Sequence, residues 1–595
     1  MAHRIAYLLK FYLLTVLLFI AAKVVFMFYN ATDNPFTAGD VVDVVRHGIS
    51  LDLSTALYFL ILPFLATAVS VWLVLPRWLY KVYYAVVAVA FTLAFVADTS
   101  LYPFWRFKLD ASCLQYLETP DDAMASVSVG YLLVRLLLIV ALTALIYTAY
   151  SKLNVSFRAV RNRFLGTFCF LLSIPLIVIG IRGGLDESTT NVGQVYFSQN
   201  QFLNHSAVNP VFSFLSSFEK TANNIVDYDY YTQQECDQLM QGLYPTTSVD
   251  TPMLLTMQRP DIVVVLMESA GDFLSDVMPR LQQLKKEGIN FSNCYANSWR
   301  TDRGTVCTYS GYPSFPTSSV MKMPSKTRHL PSIARTLQQA GYATSYFYGG
   351  DINFTNMRSY LIGTGFEQLT WKKDFSAAEQ ATSEWGVRDD IMFDAVLQHL
   401  TAPHQQPQLL GFSTLSSHEP WDVPLHHIAD PVKNAFYYLD DCIGRFIDKL
   451  RQTPQWQHTL IVLLPDHSIG YGNMTETQQE RNRIPMVWTG GAVKAPADIT
   501  QLCNQTDLAA TLLAQLGLPH DDFRWSRDVL SSSYRYPLAV HNFNNGFTML
   551  DSTGFMAYDL NAMKIMADHS SDARRLERLG KAVLQATTKD LKEMQ

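Results

Sequence analysis

At 595 residues the chain exceeds a single domain, and 49% hydrophobic against 16% charged residues is too apolar for a soluble protein of average composition. A formal net charge of -6 with no long basic stripe gives no support to a nucleic-acid-binding reading. The apolar excess lies before residue 183, in uncharged runs of membrane-spanning length.

Five spans are read there, at roughly 9–28, 54–76, 82–99, 131–150 and 164–182. Positive charge precedes the first (Arg4, Lys10), separates the second from the third (Arg77, Lys81) and the fourth from the fifth (Lys152, Arg158, Arg161, Arg163). The alternate loops carry Asp33, Asp40, Asp43 and Asp52, then Glu118, Asp121 and Asp122. Every basic loop falls on one face, so the N-terminus is expected in the cytoplasm and everything after about residue 183 outside it. Residues 101–129 interleave Tyr102, Phe104, Trp105, Phe107 and Tyr116 with Arg106 and Lys108. That stretch reads either as a helix in the headgroup region or as an aromatic belt.

Residues 183–258 are polar and broken by Pro210, Pro245 and Pro252, which reads as a linker wrapping the base of the next domain. From 259 to 520 the pattern alternates: strand-like runs at 261–267, 343–348, 408–415, 460–464 and 485–489, helical patterns at 277–287, 331–340, 390–400, 434–451 and 505–516. Such alternation predicts an α/β domain whose mostly parallel sheet is sandwiched by helices. Residues 521–595 read as a small α+β subdomain, with a hairpin or antiparallel sheet over 535–560 and a charged, exposed helix over 570–595. Seven cysteines cannot all pair, and no spacing resembles a disulfide framework or a CxxC metal site, so buried free thiols are expected.

Chemistry concentrates where the strands end. Glu268 follows the first run, Gly349-Gly350-Asp351 the second, Ser416-Ser417-His418 the third and Asp466-His467 the fourth. One polar residue after a strand is ordinarily a cap or turn former. Four such ends carrying carboxylates and imidazoles point to a divalent cation such as Mn²⁺, Mg²⁺ or Zn²⁺, since ligands in open α/β sheets sit beyond the strands' carboxyl ends. The hydroxyl-rich segment Asn297-Ser-Trp-Arg-Thr301-Asp-Arg303-Gly304 follows the first β-α pair. A Thr or Ser at a helix N-terminus there, ligated to a dication, becomes a nucleophile.

Glu268-Ser269, Thr301-Asp-Arg-Gly304, Ser310-Gly-Tyr-Pro313, Tyr348-Gly-Gly-Asp351, Trp385-Gly-Val-Arg-Asp389, Ser417-His418, Asp466-His467 and Thr506-Asp507 occur in this order. Together with five spans ahead of an outer domain, they resemble the lipoteichoic acid synthase family, membrane phosphoglycerol transferases of the alkaline phosphatase and sulfatase superfamily. The resemblance implies that Glu268, Thr301, Asp466 and His467 bind one metal, usually Mn²⁺. Thr301 would be the nucleophile, taking a phosphoglycerol-type group from a phospholipid headgroup as phospho-threonine, and an envelope glycan or lipid would accept it. His418 would contact the phosphate or protonate a leaving oxygen, and Phe354 would lie near the glycerol; Arg303 and Asp351 are further substrate-binding candidates. The protein would reside in a bacterial cytoplasmic (inner) membrane with its catalytic domain extracytoplasmic. The arginine that closely follows the aromatic in that family has no match, because Phe354-Thr-Asn-Met-Arg358 is shorter by one residue and differently ordered. The headgroup is therefore open, and a phosphoethanolamine transferase or a phosphoester hydrolase of the superfamily are the alternatives. A sulfatase needs a modifiable Cys-x-Pro-x-Arg, and Cys307-Thr-Tyr-Ser-Gly311 lacks its Pro and Arg. Retention of all four candidate ligands argues against a binding protein with a decayed site. Oligomeric state is not readable.

His47 and His205 read as interfacial or loop residues, and His329 and His404 as exposed ones. Asp507 reads as a helix cap, and Asp389 and Asp390 as first-turn acids.

Overall fold

A computed structural model describes residues 1–105, 108–109, 129–153, 157, 160, 162–221, 225–544 and 546–594. Most of the aromatic stretch at 101–129, with Glu118, Asp121 and Asp122, and the basic residues Arg158 and Arg161 lie outside the described residues. The chain forms two compact units, Met1–Asn223 and Asn224–Gln595.

Among the described residues of the first unit, five helices are long and apolar enough to cross a membrane: Ala2–Tyr29, Ala38–Val69, Arg77–Trp105, Val129–Ser151 and Arg163–Arg182. This is a membrane protein. The second helix departs from the span read at 54–76. It begins at Ala38, where Thr37 and Asp40 form a capping box, and ends before Ser70. Val71 to Val74 are apolar yet lie in the turn ahead of Pro76, which cannot continue a preceding helix. Asp52, read as a loop acid, is consequently inside this helix, where it pairs with buried Lys23 at 2.5 Å and accepts from Asn209 Nδ2 at 2.8 Å.

The boundary between units falls inside the segment read as a linker. Short helices at Gln201–Ala207 and Pro210–Thr221 belong to the first unit, and His205 is buried there against the Tyr102 hydroxyl. Residues 225–258 instead belong to the second unit, where Gln233–Met240 packs on the terminal helix. Polar composition hid these helices because each is too short to show a sustained apolar stripe.

The second unit is built on an eight-stranded sheet. Its order is Ala497–Ile499, Ile289–Phe291, Val487–Thr489, Thr459–Leu464, Asp261–Leu266, Gln408–Ser413, Ala343–Tyr348, Gln368–Trp371. Neighbours run parallel except at Val487–Thr489, which is antiparallel to both of its own. The central strands are apolar at every position because both faces are covered. Ile262, Val264 and Leu266 join a core with helices Thr301–Ser310, Ile333–Gln339, Met357–Gly363 and Leu508–Gln515. Val263 and Val265 join another with Pro279–Glu287, Asp389–Thr401 and Pro431–Arg451. This is the helix-sandwiched, mostly parallel sheet expected from the alternating pattern.

The C-terminal part is larger than the hairpin region read at 535–560. Leu538–Phe543, Gly546–Asp551, Gly554–Asp559 and Lys564–Ser570 form a four-stranded antiparallel meander. The final helix, Ala573–Glu593, is not simply exposed: Leu576, Leu579, Val583 and Leu584 are buried against Phe547, Met549 and Met556. Its charged residues dominate the composition, while its apolar ones recur at helical spacing on one face.

This part is tied to the sheet domain through Arg527, which is fully buried and grips Asp507 with Nε at 2.9 Å and Nη2 at 2.6 Å, also reaching the Leu538 carbonyl at 2.9 Å. Asp507 is thus more than the cap read from sequence, although it does accept from the Asn504 amide at 2.9 Å. Arg527→Met leaves a buried carboxylate without its partner. It is expected to lower stability by about 3–5 kcal/mol, measured by denaturant unfolding of the detergent-solubilised chain.

Candidate metal and phosphoryl-transfer site

Strand register places the first two candidate site residues. Leu266 pairs with Leu464 in the parallel ladder, so Glu268 and Asp466, each two positions further on, emerge at the same depth. Both are buried, as are the strands that carry them. Ser269 adopts a left-handed backbone (φ 60°), which turns the chain sharply after Glu268. Its amide donates to Asp466 Oδ1 at 2.9 Å and its hydroxyl to Glu268 Oε1 at 2.6 Å. His467 closes the group, with Nε2 lying 3.7 Å from Glu268 Oε1 and 3.6 Å from Asp466 Oδ2. One ligand atom from each of Glu268, Asp466 and His467 lies within 4.8 Å of the others.

Thr301 opens the helix Thr301–Ser310, whose first turn has no side-chain cap. Its hydroxyl donates to Glu268 Oε2 at 3.3 Å. Gly304 permits this approach: a Cβ there would lie 1.9 Å from the Asp466 carbonyl oxygen, so any side chain would push the helix off the Asp466 backbone. Gln505 fastens the same junction from beneath, its amide donating to the Asp466 carbonyl at 2.8 Å and the Pro465 carbonyl at 3.1 Å.

The electrostatics fit a cation. The Glu268 carboxyl is pushed up to about 8, first by burial and then by the neighbouring Asp466. Asp466 Oδ2 is buried and accepts no hydrogen bond among the described residues. Two crowded carboxylates, an imidazole and a hydroxyl with one oxygen left unanswered are the donor set of a divalent ion, and the hydroxyl faces a helix N-terminus that favours phosphate.

His418 follows Gln408–Ser413, the strand on the other side of Asp261–Leu266. Its Nδ1 lies 2.9 Å from the Glu419 carbonyl, which can only accept, so this bond assigns the proton to Nδ1 and leaves Nε2 as the acceptor of the neutral ring. The Trp385 ring meets the imidazole edge-on at 4.6 Å. The turn ahead of His418 is anchored by Asp389, which is buried and accepts from the amides of Leu415 at 2.8 Å and Ser416 at 3.0 Å. Burial pushes its carboxyl up to about 6. The Gly-Gly-Asp and Trp-Gly motifs touch: the Val387 amide donates to the Gly349 carbonyl at 2.9 Å, and a Cβ on Gly386 would lie 2.3 Å from that oxygen.

The remaining substrate-binding candidates are not members of the triad. Asp351 Oδ1 accepts from the Asn353 amide at 3.0 Å, organising its own turn, and Phe354 on that turn is 38% exposed, available to a ligand. Arg303 is buried, donating to the Phe315 carbonyl at 3.3 Å and packing over Trp299 at 5.0 Å. Sequence reasoning missed Ser269, Gln505 and Asp389 as residues that hold the site, although Ser269 and Asp389 stand inside the motifs Glu268-Ser269 and Trp385-Gly-Val-Arg-Asp389, and Gln505 directly precedes Thr506-Asp507.

Residues 260–518 match the Sulfatase family model. Phosphoglycerol transferase I of Xanthomonas campestris pv. campestris is 24% identical over 266 residues, covering 40% of this chain and 37% of the relative. Lipoteichoic acid synthase 2 of Bacillus subtilis is 23% identical over 320 residues, covering 47% of this chain and 49% of the relative. The chain thus spans half or less of these curated relatives. A crystal structure of a protein in the alkaline phosphatase superfamily from Vibrio parahaemolyticus superimposes with a TM-score of 0.54 at 22% identity, covering 62% of this chain and 97% of that one. The fold is the one expected from the resemblance.

Proposed function

We propose that the protein is a membrane transferase that moves a phosphoglycerol-type group from a phospholipid headgroup to an envelope glycan or lipid, through a covalent intermediate on Thr301. The observation that carries this reading is the Thr301 hydroxyl at an uncapped helix N-terminus, 3.3 Å from a carboxylate of the Glu268, Asp466 and His467 triad. The names of the two relatives support the transferred group.

Glu268, Asp466, His467 and Thr301 would hold one divalent metal, with Mn²⁺ the first choice and Mg²⁺ or Zn²⁺ the others. When bound it supplies Lewis-acid charge that makes the hydroxyl acidic and neutralises phosphoryl oxygens. Thr301 Oγ, its proton already lost to water, attacks phosphorus in line; the bond from phosphorus to the diacylglycerol oxygen breaks, and Thr301 is released deprotonated at the end of the cycle. His418, protonated at Nε2, gives that oxygen its proton, and the neutral imidazole then takes one from the acceptor hydroxyl as it displaces Thr301. Amides of the first helical turn steady the phosphoryl oxygens. Phe354, Asp351 and Arg303 line or shape the approach of the headgroup. Basic loops in the cytoplasm and the catalytic unit outside would give the site access to outer-leaflet lipid and no access to cytoplasmic nucleotide.

Incubating the detergent-solubilised chain with Mn²⁺ and phosphatidylglycerol should leave one phosphoglycerol mass on the peptide containing Thr301. Phosphatidylethanolamine in place of phosphatidylglycerol tests the alternative headgroup by the same readout. Release of free headgroup without any adduct from either lipid would identify a hydrolase instead.

A further inference from the structure

Cys294 and Cys503 stand some 200 residues apart in sequence, yet they are direct partners in the parallel pairing of Cys294–Tyr295 with Cys503–Asn504. Directly paired positions on adjacent strands have their Cα atoms within the separation a disulfide spans. Both side chains are fully buried in one core, so they lie on the same side of the pair. The Cys294 thiol is the neighbour that perturbs the Cys503 thiol most. The other buried thiols face different groups: Cys236 the Ala582 carbonyl at 3.6 Å, Cys307 the Asn297 side-chain oxygen at 3.6 Å, Cys442 the Arg445 guanidinium at 3.4 Å.

Cys294 and Cys503 are both buried free thiols in this structure, as expected from their spacing, and we propose that they are joined by a disulfide in the mature protein. The inference rests on the extracytoplasmic placement of the catalytic unit, where disulfides form and persist. The two thiols are oxidised by a protein or small-molecule disulfide: one S–S bond of the oxidant breaks, the Cys294–Cys503 bond forms, and the two protons leave with the two reduced oxidant thiols. The adjoining Cys294 thiol and then burial push the Cys503 thiol well above its ordinary range, so it is a poor thiolate once folded. Exchange therefore belongs to folding, as the strands pair and before the core closes.

The bond would lie at a junction the site depends on. Cys294 is seven residues before Thr301, and Cys503 is two before Gln505, whose amide holds the Asp466 carbonyl. Asn297 and Asn504 already tie the two segments, with Asn297 Nδ2 donating to Asn504 Oδ1 at 2.9 Å. A covalent staple beside them fixes the segment carrying the nucleophile to the segment beneath a metal ligand.

The test uses the full chain from its own membranes. It is denatured in excess N-ethylmaleimide without reductant, digested and analysed by mass spectrometry. A Cys294–Cys503 linked peptide is expected, with Cys236, Cys307 and Cys442 alkylated. Thermal unfolding of the folded protein is expected to fall by about 5 °C or more after reduction, and not at all in Cys503→Ser. Alkylation of both Cys294 and Cys503 before reduction overturns the proposal. In that event, exposing the reduced protein to oxidised glutathione during refolding separates the causes. A link that forms there places the failure in the outward orientation, and no link places it in the geometry.

Discussion

Thr301→Ala is expected to reduce transfer by about 10⁴-fold or more while leaving the fold and the metal triad in place. The side chain is half-buried, and its one hydrogen bond as donor goes to Glu268 Oε2, so removing it unpairs no buried group except a carboxylate oxygen aimed at the proposed cation. The helix itself remains, because Thr305 bonds to the backbone carbonyl of residue 301 rather than to its hydroxyl. Mn²⁺ affinity measured by calorimetry should therefore weaken by no more than about tenfold, since Glu268, Asp466 and His467 persist. Thr301→Ser keeps the hydroxyl and should recover part of the rate with a phospho-serine adduct. A Thr301→Ala protein that retains a tenth of wild-type transfer would remove the nucleophile from the proposed mechanism while leaving the metal site standing.

The cluster of Glu268, Asp466 and His467 was legible because its two halves depend on strands buried on both faces. Burial of that kind forces uninterrupted apolar runs, and an abrupt change to Glu268-Ser269 or Asp466-His467 stands out against them. Parallel pairing then does the rest: equal offsets from paired residues give equal depth, so convergence of Glu268 and Asp466 required only that the strands be neighbours. The residues that hold these groups in place left no such trace. Ser269 acts through a left-handed turn, Gln505 through an amide reaching two carbonyls some 40 residues away, and Asp389 through two amides of a distant turn. Each depends on a backbone approach created by the tertiary fold, and none has a periodicity or spacing of its own. The terminal helix was misjudged for the opposite reason: its charge count was read, when the spacing of Leu576, Leu579, Val583 and Leu584 decides which face is buried.

Gly304→Ala tests whether the helix and the proposed metal ligand Asp466 form one unit. The added Cβ would lie 1.9 Å from the Asp466 carbonyl oxygen, 2.6 Å from its carbon and 3.0 Å from its Cα. All three are backbone atoms, so no rotamer change relieves the clash and one of the two segments has to retreat by an ångström or more. If the helix moves, Thr301 at its first position moves with it and the 3.3 Å contact to Glu268 is lost. If the Asp466 backbone moves, the Gln505 bonds beneath it break and the carboxylate leaves its place beside Glu268. A displacement of that size ordinarily lowers a rate by about 10²-fold, and overpacking of this kind adds roughly 1–3 kcal/mol of destabilisation. The signature that separates it from Thr301→Ala is a fall in Mn²⁺ affinity alongside the fall in rate. Gly304→Ala with normal affinity would mean that the helix alone yields and that the metal ligands are held from the sheet side, by Ser269 and Gln505, without help from the nucleophile's helix.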